Sequence, residues 1–373
     1  MSTDDRERRV RAVVEAARRL ADPADPLGIE ARRALPEATG LSPANVERSL
    51  SLHLETSVAP DDLTRLLSRA GTAPRVHVVL SANVFIGVVR AVAMAVAAAP
   101  VVIVRPSSRE GVLAPLLHRA LTEQGADTTF ELSLALETLG DGALRSTVEP
   151  EAGDLVHVYG RRATIAAIAA RCPPGVTVRG HGPGFGVALV GGMSSEHAAV
   201  LLRAQAEHLS WDIIAFDQRG CLSPRVAFFT GSRDDAERFA SFLAAELEQR
   251  EREVPRGPLF DEERRERVLY RQSLQAVGQC IDGTTCLVGL DLDPRALFLP
   301  PSGRHLHVMR VRDAAELDGL LAPHVDAITC FGVTETSAHA QRLAVLAPGA
   351  RSLPIGNMQR PPLDGPVDQR EML

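Results

Sequence analysis

Apolar residues recur at helical spacing from the start of the chain: Val10, Val13, Val14, Ala17 and Leu20 share one face. Ser42-Pro43 adds a helix start, a capping serine followed by proline at the first helical position. From Arg75 the texture changes to short β-branched runs, Val76–Leu80, Val101–Val104, Leu155–Val158 and Val187–Val190, separated by Ala- and Leu-rich helical stretches. That alternation predicts an α/β fold with parallel strands and crossover helices. A second set of runs, Val226–Phe229, Leu306–Val311 and Ala327–Phe331, is interleaved with charged helical stretches at 234–253 and 261–279. The tail from Pro348 is rich in Pro, Gly and Arg and reads as an irregular arm. The expected division is a helical segment over 1–72, one α/β domain over 73–209, a second over 210–335 and a C-terminal arm over 336–373.

Composition narrows the chemistry. All 41 basic residues are Arg, so no lysine Schiff base and no P-loop lysine is available. A net charge of −6 argues against nucleic acid as a partner. The longest apolar stretch, Val84–Val104, contains Arg90 and is broken by Pro100, so it reads as a buried helix followed by a strand and not as a membrane span. Five cysteines, Cys172, Cys221, Cys280, Cys286 and Cys330, form no C-x-x-C pair, which fits a reduced, cytoplasmic setting. His305 and His307 alternate on an expected strand, but without a nearby carboxylate or cysteine pattern they read as surface or interface histidines, and no metal is expected. The 246–253 run of Glu and Arg reads as a solvated helix face.

On count alone any of the five cysteines has about a one-in-five claim to be special, since Cys is commonly a small buried hydrophobe. Local context singles out Cys221, which ends a polar loop, Phe216-Asp217-Gln218-Arg219-Gly220-Cys221-Leu222-Ser223-Pro224, just before the apolar run Val226–Phe229. Gly220 leaves room for a carbonyl, the Cys221 N–H is a candidate oxyanion donor, and Arg219 is expected to favour the thiolate. Those are the requirements of an acyl-accepting nucleophile.

This loop resembles the nucleophile segment of bacterial fatty-acyl-CoA reductases of the LuxC type, a branch of the aldehyde dehydrogenase superfamily. Leu80-Ser81-Ala82-Asn83-Val84 is similar to the segment whose Asn assists the oxyanion hole, which nominates Asn83; an exposed turn Asn is the alternative. Val101 to Ser108 matches the strand ending in Lys-Pro-Ser-Ser whose basic residue reaches the cofactor ribose. Here Arg105 stands for Lys, with Ser107 beside it, and the larger guanidinium favours a ribose 2′-phosphate. Val156 to Thr164 is similar to the strand, turn and helix that receive the cofactor pyrophosphate, nominating Gly160 and Arg161.

Arg179 to Gly186 resembles the glycine-rich strand entry where hydrolytic relatives carry a general-base Glu. No Glu is present, which disfavours water attack on a thioester; His181 is either a base or a hydrogen-bonding loop residue. Pro354 to Pro362 resembles the reductases' C-terminal segment, followed here by Leu363-Asp364-Gly365 where many members have His-Asp-Gly. The resemblance implies a cofactor domain over 73–209 and a catalytic domain over 210–335. It also implies reduction of an acyl-CoA or carrier-protein-bound acyl group to an aldehyde with NADPH, or NADH, through a thioester on Cys221. The alternatives are an acyl-phosphate reductase and an inactive homologue that binds nucleotide or a carrier protein. A homo-oligomer follows by analogy only.

Overall fold

The computed structural model describes residues 1–126, 129–132, 137–138, 144–145, 149–191, 198–334 and 338–370. α1 (Thr3–Ala21) forms where the periodicity predicts it. The Ser2 hydroxyl accepts the Asp5 N–H at 3.1 Å, and Val10, Val13, Val14, Ala17 and Leu20 are all buried. α2 (Pro26–Thr39) and α3 (Pro43–Arg48) start the same way, capped by Asp25 and Ser42 with proline in the first turn. α4 (Pro60–Ala70) completes the helical N-terminus.

The next strands are β1 (Arg75–Val79), β2 (Val101–Arg105), β3 (Thr129–Leu132), the short antiparallel pair β4 (Glu137–Thr138) and β5 (Leu144–Arg145), then β6 (Leu155–Tyr159) and β7 (Thr177–His181). Five of them make a parallel sheet in the order β3-β2-β1-β6-β7. α5 (Gly87–Ala98) is buried from Val88 onward. Even its Arg90 is buried, held by Glu55 at 2.7 Å and by the carbonyls of Pro362 and Gly365, each at 2.9 Å. α6 (Leu113–Glu123) and α7 (Arg162–Ala169) complete the crossovers. Strand order reverses at β1, with β2 and β3 on one side and β6 and β7 on the other. Open α/β sheets bind ligands outside the carboxyl ends of strands at such a switch point.

The second sheet contains β8 (Phe185–Gly191), β9 (Pro224–Thr230), β10 (Gln279–Asp282), β11 (Leu287–Asp291), β12 (Leu306–Val311), β13 (Ile328–Val333) and β14 (Arg351–Pro354), in the order β10-β11-β12-β9-β8-β13-β14. Only the β10–β11 pairing is antiparallel. Val187, Val226, Phe228, Met309, Ile328 and Phe331 form its core. α8 (Ala198–Ile214), α9 (Arg233–Glu253), α10 (Asp261–Val277), α11 (Ala314–Leu321) and α12 (Ala338–Leu346) accompany it.

The described residues form two compact units, one within 1–183 and 362–367, the other within 184–361 and 368–370. The division therefore falls at Pro183–Gly184 and not near Ser210. Val187–Val190, expected with the first set of strands, pairs instead with β9 and β13, because its partners in the second sheet arrive much later in the chain. The helical segment 1–72 belongs to the first unit, and the C-terminal arm is divided between the two. His305 and His307 are both fully buried, contrary to the surface reading. His307 is 3.0 Å from the Tyr270 hydroxyl. Glu246 and Arg250 are also buried, paired at 3.1 Å, with Arg250 over the Trp211 ring, so this part of the α9 face is not solvated. Among the described residues no helix is long and apolar enough to cross a membrane.

Candidate active site

Among the described residues, the loop before β9 carries the longest run of left-handed non-glycine backbone. Phe216, Asp217 and Gln218 are three consecutive non-glycine residues with φ of 53°, 51° and 64°. Left-handed conformations of this kind cost about 1–3 kcal/mol each and persist only where the surroundings over-determine them. Here they do. The Asp217 carboxylate accepts from Arg304 at 3.0 and 2.7 Å and from the Gly257 N–H at 3.0 Å, while its carbonyl accepts the Gly303 N–H at 3.2 Å. Gln218 donates to the Pro224 and His305 carbonyls at 2.7 and 2.6 Å and accepts the His305 N–H at 2.8 Å. All three side chains are buried, and burial pushes the Asp217 carboxyl up against the pull of Arg304.

The turn delivers Cys221 three residues before β9. The Thr329 hydroxyl donates to the Cys221 carbonyl at 2.5 Å, and the Gly186 N–H to the Ser223 carbonyl at 2.9 Å. Cys221 keeps partial exposure, yet burial of its thiol, reinforced by Asp368 and opposed by Arg370, pushes it up to about 12. Arg219 does not supply the thiolate-favouring charge expected of it. Its guanidinium is held by Glu263 at 3.0 Å, donates to the Pro258 carbonyl and lies over the Phe260 ring, so its charge is spent on the loop's outer scaffold. The cation that lowers the thiol is Arg370, paired with Asp368 at 3.0 Å.

Glycines permit the close packing around this loop. A Cβ on Gly186 would lie 2.4 Å from the Leu222 carbonyl oxygen and 2.9 Å from Met358 Cε, and one on Gly184 would lie 2.4 Å from Thr329 Cγ2 and 2.7 Å from Arg370. The Pro354–Pro362 segment is fastened by buried Asp212, whose carboxylate accepts the Gly356 N–H at 2.5 Å and the Met358 N–H at 2.9 Å. Burial pushes Asp212 up to about 7, against those two hydrogen bonds. Arg304, Asp212, Thr329 and the Asp368–Arg370 pair escaped sequence reasoning: each lies far along the chain from the atom it holds, and no local pattern marks it.

The remaining candidates lie in the first unit. Asn83 is exposed in the loop between β1 and α5, its Oδ1 3.3 Å from an Arg109 donor. Arg105 ends β2, where burial pulls its guanidinium below its ordinary value. Ser107 follows, its hydroxyl accepting the Arg109 N–H at 3.3 Å and its carbonyl the Glu110 N–H at 3.2 Å. Gly160 follows β6, its N–H donating to the His181 carbonyl at 3.1 Å; a Cβ there would meet only Thr164, at an ordinary 3.7 Å. Arg161 caps α7 through its backbone alone, with no side-chain hydrogen bond closing the helix start. The structure thus brings Arg105, Ser107, Asn83, Gly160 and Arg161 to the carboxyl ends of β1, β2 and β6, three adjacent strands. His181 is a hydrogen-bonding residue: its Nε2 is 2.9 Å from His157 Nδ1 and its ring stacks on Tyr159 at 4.2 Å. Buried His157 is held at about 3 by desolvation and then by the charges of His181 and Arg179.

Known structures share this fold. An NAD-dependent benzaldehyde dehydrogenase from Corynebacterium glutamicum superposes with a TM-score of 0.66 at 15% identity, covering 96% of this chain and 81% of its own. An NAD-dependent aldehyde dehydrogenase from Sinorhizobium meliloti superposes with a TM-score of 0.66 at 14% identity, covering 94% and 74%. The aldehyde dehydrogenase 21 of Physcomitrella patens, in complex with succinate, gives 0.63 at 12% identity, covering 95% and 78%. A search of curated proteins by sequence returns no match. A sequence model of the acyl-CoA reductase (LuxC) family matches residues 57–360. With that match over most of its length and an aldehyde dehydrogenase-like fold, the chain belongs to the LuxC family of acyl-CoA reductases, oxidoreductases that act on acyl and aldehyde groups.

Proposed function

We propose that this chain reduces an acyl thioester, carried by coenzyme A or a carrier protein, to the aldehyde with NADPH or NADH, through a covalent thioester on Cys221. The observation that carries the reading is the over-determined left-handed turn that presents Cys221, since strain held in place by buried ion pairs concentrates at functional sites.

The residues of the first unit fit a nicotinamide dinucleotide. Arg105, Ser107, Arg161 and the first-turn amides of α7, which no side chain caps, form a cationic, donor-rich set at a switch point of the parallel sheet. Arg161 and the α7 amides are assigned to the pyrophosphate, Arg105 and Ser107 to the adenosine ribose, and the guanidinium of Arg105 suits a 2′-phosphate. When bound, the reduced cofactor supplies the hydride.

The rest of the chemistry belongs to the chain. The Cys221 sulfur attacks the acyl carbon, Asn83 with the Cys221 N–H stabilises the developing oxyanion, and the bond from the acyl carbon to the coenzyme A or carrier sulfur breaks as that thiolate takes up the proton Cys221 gives up. A thiol pushed up to about 12 is neutral at rest, so attack requires its proton to leave as the acyl group arrives. The glycine run from Gly180 to Gly186 offers no carboxylate to activate water, which disfavours hydrolysis of the acyl group; once that group is reduced, its bond to the Cys221 sulfur breaks, releasing the aldehyde and returning the proton to sulfur. Purified protein offered a series of acyl thioesters with NADPH or NADH should form aldehyde, with Cys221→Ser as control. Asn83→Ala should lower kcat by about 10²–10³ while leaving alkylation of Cys221 unchanged. Aldehyde formation by Cys221→Ser at the wild-type rate excludes the covalent route.

A further inference from the structure

The second unit contains a cavity of about 470 Å³, separate from Cys221, whose lining includes Glu251, Arg256, Gly257, Arg264, Arg267 and Thr285. Three guanidinium groups meet one carboxylate there, and that carboxylate is already engaged. Glu251 Oε2 accepts from Arg304 at 2.9 Å and Oε1 from the Arg256 N–H at 2.9 Å. The arginines retain donor capacity. Arg256 Nη1 donates to the Thr285 and Gly303 carbonyls at 2.8 and 3.2 Å, but its Nε has no hydrogen-bond partner among the described residues. Arg267 Nε is likewise buried without a partner, and its Nη2 stands 3.8 Å from Asp282, beyond hydrogen-bond reach. Arg264 is bound to Asp261 and to the Leu259 carbonyl.

A third buried donor lies next to them. His305 Nδ1 accepts the Leu287 N–H at 2.9 Å, which puts the ring proton on Nε2, and that atom also has no partner. Gly303 sits between the groups at φ 105°; a Cβ there would lie 3.6 Å from His305 Nε2 and 3.9 Å from Arg256 Nη1. Burial, and then the charges of Arg267, Arg256 and Arg225, hold His305 at about 3. Buried donors left unpaired are costly, and a surplus of them around a cavity is the donor set an oxyanion satisfies.

We infer that this cavity binds the phosphate group of a small ligand, with Arg256 and Arg267 as principal donors and Arg264 at the rim. The cavity shares Glu251 and Gly257 with the network that fixes Asp217, so the bound anion would rest on the scaffold of the nucleophile turn. Two sources offer the same chemistry: free phosphate, and the phosphate-bearing nucleotide end of a coenzyme A thioester.

Binding of inorganic phosphate, pyrophosphate and adenosine 3′,5′-bisphosphate to the full chain, measured by calorimetry without turnover, tests the site independently of the reductase reading. At least one should bind saturably in the millimolar range or tighter, more weakly at high salt. Arg267→Gln should weaken it by about tenfold or more, the factor for one lost charge-assisted hydrogen bond. Arg264→Gln, at an exposed position, serves as the second variant should Arg267→Gln lower the melting temperature. Tighter binding of the bisphosphate than of phosphate assigns the site to the thioester's nucleotide; equal binding assigns it to free phosphate. No saturable binding of any of the three at tens of millimolar, or unchanged binding by both variants, overturns the site.

Discussion

Arg304→Met isolates the device that shapes the nucleophile turn. The wild-type guanidinium is almost fully buried and makes two bonds to Asp217, one to Glu251 at 2.9 Å and one to the Val254 carbonyl at 2.6 Å. Removing one partner of a buried ion pair costs about 3–5 kcal/mol, because the other charge is left uncompensated. The strain of three left-handed residues, about 1–3 kcal/mol each, then has less to oppose it, so the turn should relax as stability falls. Two measurements read this. Denaturant unfolding followed at Trp211, the single tryptophan and a residue of the same unit, should show a loss of about 3–5 kcal/mol. Iodoacetamide should alkylate Cys221 faster. Arg304→Met with Asp217→Asn should regain part of the loss, since the fully buried Asp217 charge is then no longer left without its partner. A loss below about 1 kcal/mol with an unchanged alkylation rate would refute the claim that this pair holds the turn.

Three further outcomes are expected. Gly186→Ala puts a Cβ 2.4 Å from the Leu222 carbonyl oxygen, so it should cost about 1–3 kcal/mol and lower the rate of acyl transfer to Cys221, read by single-turnover kinetics. Asp212→Asn turns an amide donor toward one of the two N–H groups its carboxylate holds, costing about 1–3 kcal/mol. Because the folded Asp212 is pushed up to about 7 from an ordinary 3.8, its contribution is full below about 4 and is lost as pH rises through 7; the Asn variant should lack this part of the pH dependence of melting. Wild-type Cys221 alkylation should stay slow through pH 9 and rise only toward 12, and Asp368→Asn, leaving Arg370 unopposed, should shift the rise to lower pH; a wild-type rise centred near 9 would contradict the burial of the thiol.

The alternation of helical and β-branched runs was enough to place α1, α5, α9, β1, β2, β6, β9 and β12, because each follows from spacing within a few turns of chain. Cys221 was legible for a similar reason: a polar, glycine-bearing loop running into an apolar strand is a local pattern. The partners of that loop were not. Asp217 meets Arg304 across 87 residues, Cys221 meets Thr329 across 108, and Asp212 meets Met358 across 146. His305 and His307 were misread because alternation reports which side of a strand a residue faces and not whether a helix covers that side. β8 was assigned to the wrong sheet because a β-branched run carries no mark of its neighbours. Short-range periodicity therefore determined the elements and nominated the sulfur. Only the folded chain decided which buried charges strain its loop and which sheet each strand joins, since those depend on contacts between residues the sequence keeps far apart.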